Sequence, residues 1–325
     1  MTNLGWWMEL SPYIEVGIRN AYWRTTPLVR WFSERKKKRK APATARAEAL
    51  QPQTTIARVA ALLQARGVGR GDLIVVHSSF RALRADGAKP DAIIDALLAL
   101  IGPEGTLAMP AIPVYAEAPP VTEIMTADVS NLVCDYDPFN TPTWTGALPI
   151  AMLRRPGAAR SLHPLNSMVA LGPKGEPMMR HNLDGEKPLP CGIQSSWNFC
   201  ACNGAKVLAI GADMTHSLTM IHVAEDVMDE AWPVRGWYRD RKFNIVTGGT
   251  KRFQIVRERH PKWAMYYGER TLSKDLRRQG LMTRDQVDGV NVEILEAGPL
   301  VTYLNARNRR GYPYYLLPRS SLRAR

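Results

Sequence analysis

The chain has 325 residues, 45% of them hydrophobic and 22% charged, which is typical of a soluble globular protein with enough length for a sizeable core. Its net charge of +13 by itself suggests a nucleic-acid or membrane partner, so the distribution of this charge along the chain matters. Residues 1–46 account for +7 and residues 305–325 for +6, which leaves residues 47–304 with no net charge. A body without net charge argues against a groove that follows a nucleic-acid backbone.

Cysteine content and hydropathy indicate the compartment. The four cysteines are too few and too irregularly spaced for a disulfide framework, and no histidine pair accompanies them at zinc-ligand spacing. No run approaches 18 apolar residues, and the N-terminus lacks a signal-peptide core. We therefore expect a cytoplasmic protein with free thiols and no bound metal.

The first 50 residues differ in composition from the rest and are predicted to be a basic, Trp-rich extension. Ser11 and Pro12 are suited to start a helix, on which Ile14, Ile18, Ala21 and Tyr22 would share one face. Trp6, Trp7, Trp23 and Trp31 precede the basic run 36–40, a combination that suits peripheral contact with the inner face of a membrane. An arm packed on the body, or on a second subunit of a homodimer, would use the same apolar face.

From about residue 54 the pattern alternates between helix and strand. It predicts a helix ending at Gly67, a buried strand over 73–76, a helix from Pro90 to Gly102 and a strand in GTLAMP. AKVLAIG reads as a later strand, followed by a polar turn and the start of a helix in LTMIHVAED. A strand, a helix and a strand at this spacing indicate a parallel βαβ unit, whose ligands bind at the carboxyl ends of the strands.

Several polar turns follow or precede apolar strands. Ser78 and Ser79 follow the first strand; their hydroxyls could cap a short helix or bind a phosphate or carbonyl oxygen. In RSLHPLNSMVALG, Pro164 biases His163 towards an extended backbone immediately before a short buried strand. Such a histidine is either an ordinary loop residue or a catalytic base, and this stretch alone favours the ordinary role.

Taken together, five segments resemble the successive motifs of the aminoglycoside 3-N-acetyltransferases. They are GDLIVVHSSFRALR, IIDALLALIGPEGTLAMPA, DPFNTPTWTGALP, RSLHPLNSMVALGP and GAKVLAIGADMTHSLTMIHVAED. The resemblance covers roughly residues 54–235. It implies a single α/β domain, here residues 51–325, with a mixed or parallel central sheet flanked by helices, distinct from the GCN5-like acetyltransferase fold. It also implies acetyl-coenzyme A as donor and an amine as acceptor.

The resemblance further implies roles for individual residues. His163 would be the catalytic base, because a neutral imidazole accepts a proton readily near pH 7. Apart from the resemblance, a nearby carboxylate should orient the imidazole; Glu225 and Asp226 are both candidates, and we assign Glu225. Asp213, His222 and Asp226 are assigned to acceptor binding, with packing as the alternative for His222. The donor would be bound by Ser78, Ser79, Arg81 and Thr143. Transfer would be direct, so no nucleophilic cysteine and no metal is needed.

One departure from the family pattern bears on the acceptor. A Gly-Glu-Gly-Ser-Pro type stretch is replaced by LPCGIQSSWNFCACNGAK, so an acidic residue is missing. A polycationic aminoglycoside should need a carboxylate-rich cleft, whereas the aromatic and basic segments after Ala231 offer stacking surfaces. The sequence therefore predicts acetylation of an amino sugar in a nucleotide-linked or glycan precursor.

Two alternatives stay open. The first is an aminoglycoside 3-N-acetyltransferase that confers antibiotic resistance. The second is a non-catalytic protein that binds a membrane surface or nucleic acid through its basic tails, although the neutral body argues against a nucleic-acid partner.

Overall fold

The computed structural model describes residues 8, 11–24, 52–83, 87–120, 123–310 and 314–322. Its strands are β1 (Leu73–Ser78), β2 (Thr106–Pro110), β3 (Val133–Tyr136), β4 (Ala159–Arg160), β5 (Met168–Leu171), β6 (Lys206–Ile210), β7 (Tyr238–Thr247), β8 (Thr250–Arg259), β9 (Met282–Val287) and β10 (Val290–Glu296). The helices are α1 (Pro12–Arg24), α2 (Pro52–Ala65), α3 (Phe80–Leu83), α4 (Pro90–Ile101), α5 (Ala147–Leu153), α6 (Gly175–Met179), α7 (Ser196–Cys202), α8 (Met214–Ser217), α9 (Val223–Asp226), α10 (Glu269–Arg278) and α11 (Ala297–Arg309). Short 3₁₀ turns cover Thr219–His222, Asp229–Ala231, Pro261–Tyr266 and Arg319–Ser321.

A mixed seven-stranded sheet forms the centre of the molecule, in the order β4-β5-β2-β1-β6-β10-β9. β1 pairs in parallel with both β2 and β6, as the predicted βαβ unit requires. The outer strands β5 and β10 run antiparallel to β2 and β6, respectively. The predicted α/β class with a mixed central sheet flanked by helices is confirmed.

Both faces of this sheet are covered, which explains why β1 is apolar without interruption. Leu73 and Val75 point into one core cluster, and Ile74 and Val76 point into the cluster on the opposite face. All four side chains are at most 2% exposed. A strand buried on both faces loses the alternation of polar and apolar residues and reads as a continuous apolar run.

A second sheet, in the order β3-β7-β8, packs around its own small core, which includes Tyr136 and Phe243. Two hairpins are closed by two-residue turns whose residues all have positive φ. Gly248 and Gly249 (φ 56° and 80°) join β7 to β8, and Asp288 and Gly289 (φ 48° and 79°) join β9 to β10. Gly-Gly and Asp-Gly are favoured in such turns, because left-handed backbone at both positions matches the strand twist.

The helix predicted in LTMIHVAED is divided into two short pieces. A 3₁₀ turn covers Thr219–His222 and one α turn covers Val223–Asp226. The two pieces are contiguous, so residues 222 and 225 still lie on the same side of the segment. This short segment carries the chemistry of the candidate site.

The predicted N-terminal helix is present as α1, but a different face is buried. Glu15 is fully buried and Val16 is 8% exposed, whereas Ile14, on the face predicted to pack, is 37% exposed. The Glu15 carboxylate accepts hydrogen bonds from the backbone amides of Arg270 and Thr271, at the start of α10. α1 is therefore packed on the body of the protein, which was one of the three arrangements expected for the N-terminal arm.

Other parts of the N-terminal prediction lie outside the described residues, namely Trp6, Trp7, Trp31 and the basic run 36–40. Within the part of the chain that the structure describes, no helix has the length and apolar character needed to cross a membrane.

We expect Glu15→Ala to lower the free energy of unfolding by about 1–2 kcal/mol, because two amides in the first turn of α10 lose their capping acceptor. Urea unfolding measures the effect. Tyr13→Ala on the same helix is the control, since Tyr13 is 74% exposed. Equal effects of the two substitutions would contradict a specific role for the buried carboxylate.

Candidate active site

A cavity of about 760 Å³, here called the main cavity, lies at the carboxyl edge of the parallel strands β1, β2 and β6. Its walls come from the residues that follow these strands and from α1, α5, α8 and α10. The carboxyl edge of parallel strands is where α/β proteins place their ligands.

The predicted donor turn lies in this cavity. Ser78, Ser79 and Arg81 all line it, and Ser79 is held to the end of β6 through its backbone amide, which donates to Ile210 O. Arg81 is exposed and forms no ion pair among the described residues. An unpaired guanidinium beside two hydroxyl groups suits a phosphate-bearing ligand.

The structure does not support the assignment of Thr143 to the donor site. Thr143 is 7% exposed and does not line the cavity; its hydroxyl donates to Ile112 O (2.8 Å) and is bonded to the Thr145 hydroxyl (2.7 Å). Thr145, two residues later, lines the cavity. Thr143 therefore holds in place the loop that presents Thr145.

His163 does not have the surroundings of a base. It is 2% exposed and lines neither of the cavities of about 760 and 330 Å³ that His222 lines, nor the neighbouring cavity of about 550 Å³. Nδ1 accepts a hydrogen bond from Leu165 N (3.1 Å), and Nε2 lies 3.2 Å from Pro188 O, to which it donates. Burial lowers the pKa of His163 to about 4. Both ring nitrogens are thus used by the backbone, and the expected catalytic role of His163 is not supported.

His222 has the features that His163 lacks. It lines the main cavity and also a second cavity of about 330 Å³. Its Nδ1 is 3.0 Å from Glu225 Oε2, to which it donates, and Nε2 has no partner among the described residues. Burial, helped by the nearby Arg259 cation, lowers the pKa of His222, so the ring is neutral at pH 7. A neutral imidazole with one free lone pair, oriented by a carboxylate, is equipped to accept a proton.

The Glu225 carboxylate is 4% exposed and uses both oxygens. Oε2 is bonded to His222, and Oε1 accepts a 2.6 Å hydrogen bond from the Tyr315 hydroxyl. Burial alone would raise the pKa of Glu225, but His222, Arg259 and Tyr315 together hold it below its ordinary value. Glu225 is therefore a buried carboxylate that stays ionised. The expected orienting carboxylate is present, but its partner is His222.

Asp226 lies next to Glu225 but points into different surroundings. Its oxygens accept hydrogen bonds from Cys191 N (3.0 Å) and from the Tyr238 hydroxyl (2.9 Å). Burial, together with the negative charge of Glu225, raises the pKa of Asp226 to about 7. Asp226 lines the 330 Å³ cavity and a third cavity of about 550 Å³. Of the predicted acceptor-binding residues, Asp226 and His222 both reach cavities.

Asp213 does not contact the main cavity. Its carboxylate caps α8 by accepting a 2.7 Å hydrogen bond from Thr215 N, and it forms a 3.5 Å ion pair with Arg284. The observed role of Asp213 is structural, and the structure does not support acceptor binding by this residue.

A second histidine–carboxylate pair lies in the main cavity and was missed from the sequence. His216 Nδ1 is 2.8 Å from Glu269 Oε1, and Arg19 from α1 binds the same oxygen at 2.5 Å. The Glu269 carboxylate raises the pKa of His216, which is half-exposed. His216 is therefore more basic and more easily protonated than His222, so it is less suited to act as a base at neutral pH.

The aromatic segments after Ala231 are part of the core. Trp232, Trp237 and Trp263 are at most 5% exposed and pack against one another, with Trp237 stacked on Trp263 at 5.6 Å. They offer no free face to a nucleotide, so the stacking surfaces expected from the sequence are not present at these tryptophans.

Among the described residues, no group of histidine, cysteine and acidic side chains is arranged to hold a metal ion.

Comparison with solved structures gives the same fold. The apoenzyme of the aminoglycoside acetyltransferase AAC(3)-IVa aligns with a TM-score of 0.64 at 22% identity, over 85% of this chain and 95% of the other. AAC-IIIb in a binary complex with CoASH aligns with a TM-score of 0.65 at 21% identity, over 83% of this chain and 99% of the other. A histidine-to-alanine variant of AAC(3)-IVa in complex with apramycin aligns with a TM-score of 0.59 at 22% identity, over 81% of this chain and 94% of the other.

Sequence relatives lead to the same group. Aminoglycoside N(3)-acetyltransferase VIII of Streptomyces fradiae is 30% identical over 260 residues, which are 74% of this chain and 87% of the relative. Aminoglycoside N(3)-acetyltransferase VII of Streptomyces paromomycinus is 28% identical over 283 residues, 77% and 89% of the two chains. Residues 75–307 match the family described as aminoglycoside 3-N-acetyltransferase. The chain belongs to this acyltransferase family.

Proposed function

We propose that this enzyme transfers the acetyl group of acetyl-coenzyme A directly to an amine of an aminoglycoside, with His222 as general base and Glu225 as the residue that orients it. The observation that carries the proposal is the position of His222 between two cavities, with Nδ1 held by Glu225 and Nε2 free to accept a proton.

The main cavity has the chemical features that the donor needs. Its 760 Å³ are lined at one side by Ser78, Ser79 and Arg81, which suit the phosphates and amides of coenzyme A. Apolar side chains of Leu218, Ile221 and other residues line much of the remainder, where a pantetheine arm would fit. A CoASH complex among the structural neighbours supports this assignment.

The chemistry follows from the position of His222. The acceptor amine gives a proton to His222 Nε2 as its nitrogen bonds to the thioester carbonyl carbon. Glu225 stabilises the imidazolium that forms. When the carbon–sulfur bond breaks, the leaving thiolate takes a proton from the imidazolium, which restores the neutral base. Atoms and charges balance without a covalent enzyme intermediate.

Carboxylates near His222 support a cationic acceptor. Asp226 lines both the 330 Å³ cavity and the neighbouring 550 Å³ cavity. The wall of the larger one also contains Asp184, Glu186, Asp229 and Asp240, against the cations Lys187 and Arg257. The acids outnumber these two cations, so the wall supplies negative charge that segment 189–206 lacks, which suits a polycation. The names of the curated relatives support the same acceptor class over a nucleotide-linked sugar.

We retain residues 51–325 as the proposed acetyltransferase domain and residues 1–50 as an extension. α1 is nevertheless part of the cavity wall, because Arg19 lines the main cavity. Truncation of the extension therefore alters the site in addition to removing basic charge.

We expect His222→Ala to lower kcat by about 10²- to 10⁴-fold, the usual contribution of a general base. The substitution also removes a donor from the buried Glu225 carboxylate, so stability should fall and turnover is compared per folded molecule. Glu225→Gln should lower kcat by a smaller factor. Thiol release from acetyl-coenzyme A measures turnover, and His216→Ala is the matched control because His216 also pairs with a glutamate in the cavity. Loss of turnover in His216→Ala with retention in His222→Ala would overturn the assignment.

We expect thiol release with aminoglycosides and none with nucleotide-linked amino sugars of equal concentration. NMR of the product identifies the acetylated amine, and the names of the relatives lead us to expect the 3-amino group. Turnover restricted to the nucleotide-linked panel would replace the proposed acceptor and leave the donor assignment intact.

His163→Gln should have the opposite profile to His222→Ala, with turnover per folded molecule retained and stability reduced. Because the pKa of buried His163 is lowered to about 4 from 6.5, the unfolded chain binds a proton that the folded chain refuses. Wild-type stability should therefore fall as pH drops from about 6.5 to 4, and the variant should show a shallower fall. Urea unfolding at several pH values measures both slopes, and equal slopes would contradict a buried neutral His163.

A further inference from the structure

The second oxygen of Glu225 is bound by a residue from a distant part of the chain. The Tyr315 hydroxyl donates to Glu225 Oε1 at 2.6 Å, and Arg259 Nη1 donates to the Tyr315 oxygen at 2.6 Å. A continuous set of hydrogen bonds thus leads from Arg259 through Tyr315 and Glu225 to His222. Tyr315 lies beyond residues 75–307, the part of the chain that matches the family.

The chain fixes the Tyr315 ring firmly. The backbone on both sides is paired, with Leu316 N donating to Tyr266 O at 2.9 Å and Gly268 N to Tyr314 O at 2.8 Å. Tyr267 and Trp237 contact the ring at 4.8 and 4.9 Å between centroids. The side chain is 5% exposed. A hydroxyl held on such a ring can fix the carboxylate that it binds, because neither partner is free to rotate.

We propose that Tyr315, polarised by Arg259, is a positioning residue that fixes the Glu225 carboxylate in the orientation that directs the free nitrogen of His222 at the acceptor amine. The proposal rests on the proposed function, since it assigns Tyr315 a role in the action of the His222–Glu225 pair. Tyr315 lines neither the main cavity nor the 330 Å³ cavity, so it acts through Glu225 and has no contact with the substrates.

Several charged and titratable groups face Glu225, and Tyr315 is distinguished from them by its direct bond. Arg259 is the nearby cation, Asp226 is the neighbouring acid, and His222 is the bonded imidazole. The Glu225 charge adds to burial in raising the pKa of Cys191, Tyr238 and Tyr267, which shows that these side chains also lie near it. Of all these groups, only His222 and Tyr315 donate hydrogen bonds to the carboxylate among the described residues.

Removal of the hydroxyl has a definite consequence for the pH profile. The Tyr315 hydrogen bond partly neutralises the negative charge of Glu225. Without it, the carboxylate stabilises the protonated form of His222 more strongly, which raises the pKa of the imidazole. The acid limb of kcat/KM, where the base becomes protonated, should then move to higher pH. A tyrosine that only fills the aromatic core would affect stability and leave this limb in place.

The test is Tyr315→Phe in the full-length enzyme, assayed by thiol release with acetyl-coenzyme A and an accepted aminoglycoside. We expect kcat to fall about tenfold, KM for both substrates to stay within about twofold, and the acid limb to move upward. Tyr314→Phe is the matched control. Tyr314 is the adjacent residue, is also buried, and donates to a different carboxylate, Asp275, at 2.8 Å. It should change stability without moving the acid limb.

A second comparison uses Glu225→Gln as background. If Tyr315 acts through Glu225, adding Tyr315→Phe to Glu225→Gln should lower kcat by much less than about tenfold. Equal effects in both backgrounds would overturn the proposal, as would a wild-type kcat and pH profile in Tyr315→Phe. His222→Ala distinguishes a failure of the proposed function from a failure of the positioning role alone. Full turnover in His222→Ala would refute the proposed function together with this inference, whereas an inactive His222→Ala beside an unaffected Tyr315→Phe would refute the positioning role alone.

Discussion

The burial of the Glu225 charge is the constraint on which the rest of the site depends. An ionised carboxylate in the interior costs many kcal/mol unless other groups replace its water, so the fold must bring donors and a cation to it. His222 comes from the same segment, Arg259 from the end of β8 and Tyr315 from the C-terminal region. Three separate parts of the chain therefore meet at one side chain, and the orientation of the His222 ring follows from that meeting.

The two histidines show how far the surroundings decide the chemistry of one residue type. His163 and His222 both have lowered pKa values, and both are neutral at pH 7. The backbone occupies both nitrogens of His163, so its ring serves as a packed hydrogen-bonding unit. His222 gives one nitrogen to Glu225 and keeps the other for the cavity. A neutral imidazole is needed for base catalysis, but a free lone pair in contact with substrate is needed as well.

Segments outside the residues that match the family contribute to the surroundings of both histidine–carboxylate pairs. Arg19 of α1 binds Glu269 in the cavity wall, and Tyr315 reaches Glu225 from the other end of the chain. Both contacts join the ends of the sequence to the loops that follow the central strands. The two histidine–carboxylate pairs thus lie within the residues that match the family, whereas some of the groups that hold them come from the flanks. A substitution at Tyr315 can therefore change the surroundings of the His222–Glu225 pair without altering the central sheet, and one at Arg19 can change those of the His216–Glu269 pair.

Local pattern alone determined much of the fold. The apolar runs of β1, β2 and β6, the helices between them and the glycines at their ends were readable, because buried strands and amphipathic helices leave a periodic record in neighbouring residues. The His-x-x-Glu spacing also placed residues 222 and 225 on one side of a short helical segment. The β7–β8 and β9–β10 hairpins were not predicted, although Gly248-Gly249 and Asp288-Gly289 are sequence signals for two-residue hairpin turns.

Tertiary structure decided which histidine is free, which threonine reaches the cavity and which carboxylate is paired. Nothing within a few residues of His163 shows that Pro188 O occupies one of its nitrogens, and nothing near Glu225 shows that a hydroxyl 90 residues away binds it. The buried face of α1 was hidden for the same reason, since Glu15 is buried only because α10 presents two amides to it. Hydrophobic periodicity shows which face of a helix or strand is buried on average. A site depends on individual contacts between residues far apart in the chain, and those contacts exist only once the chain has folded.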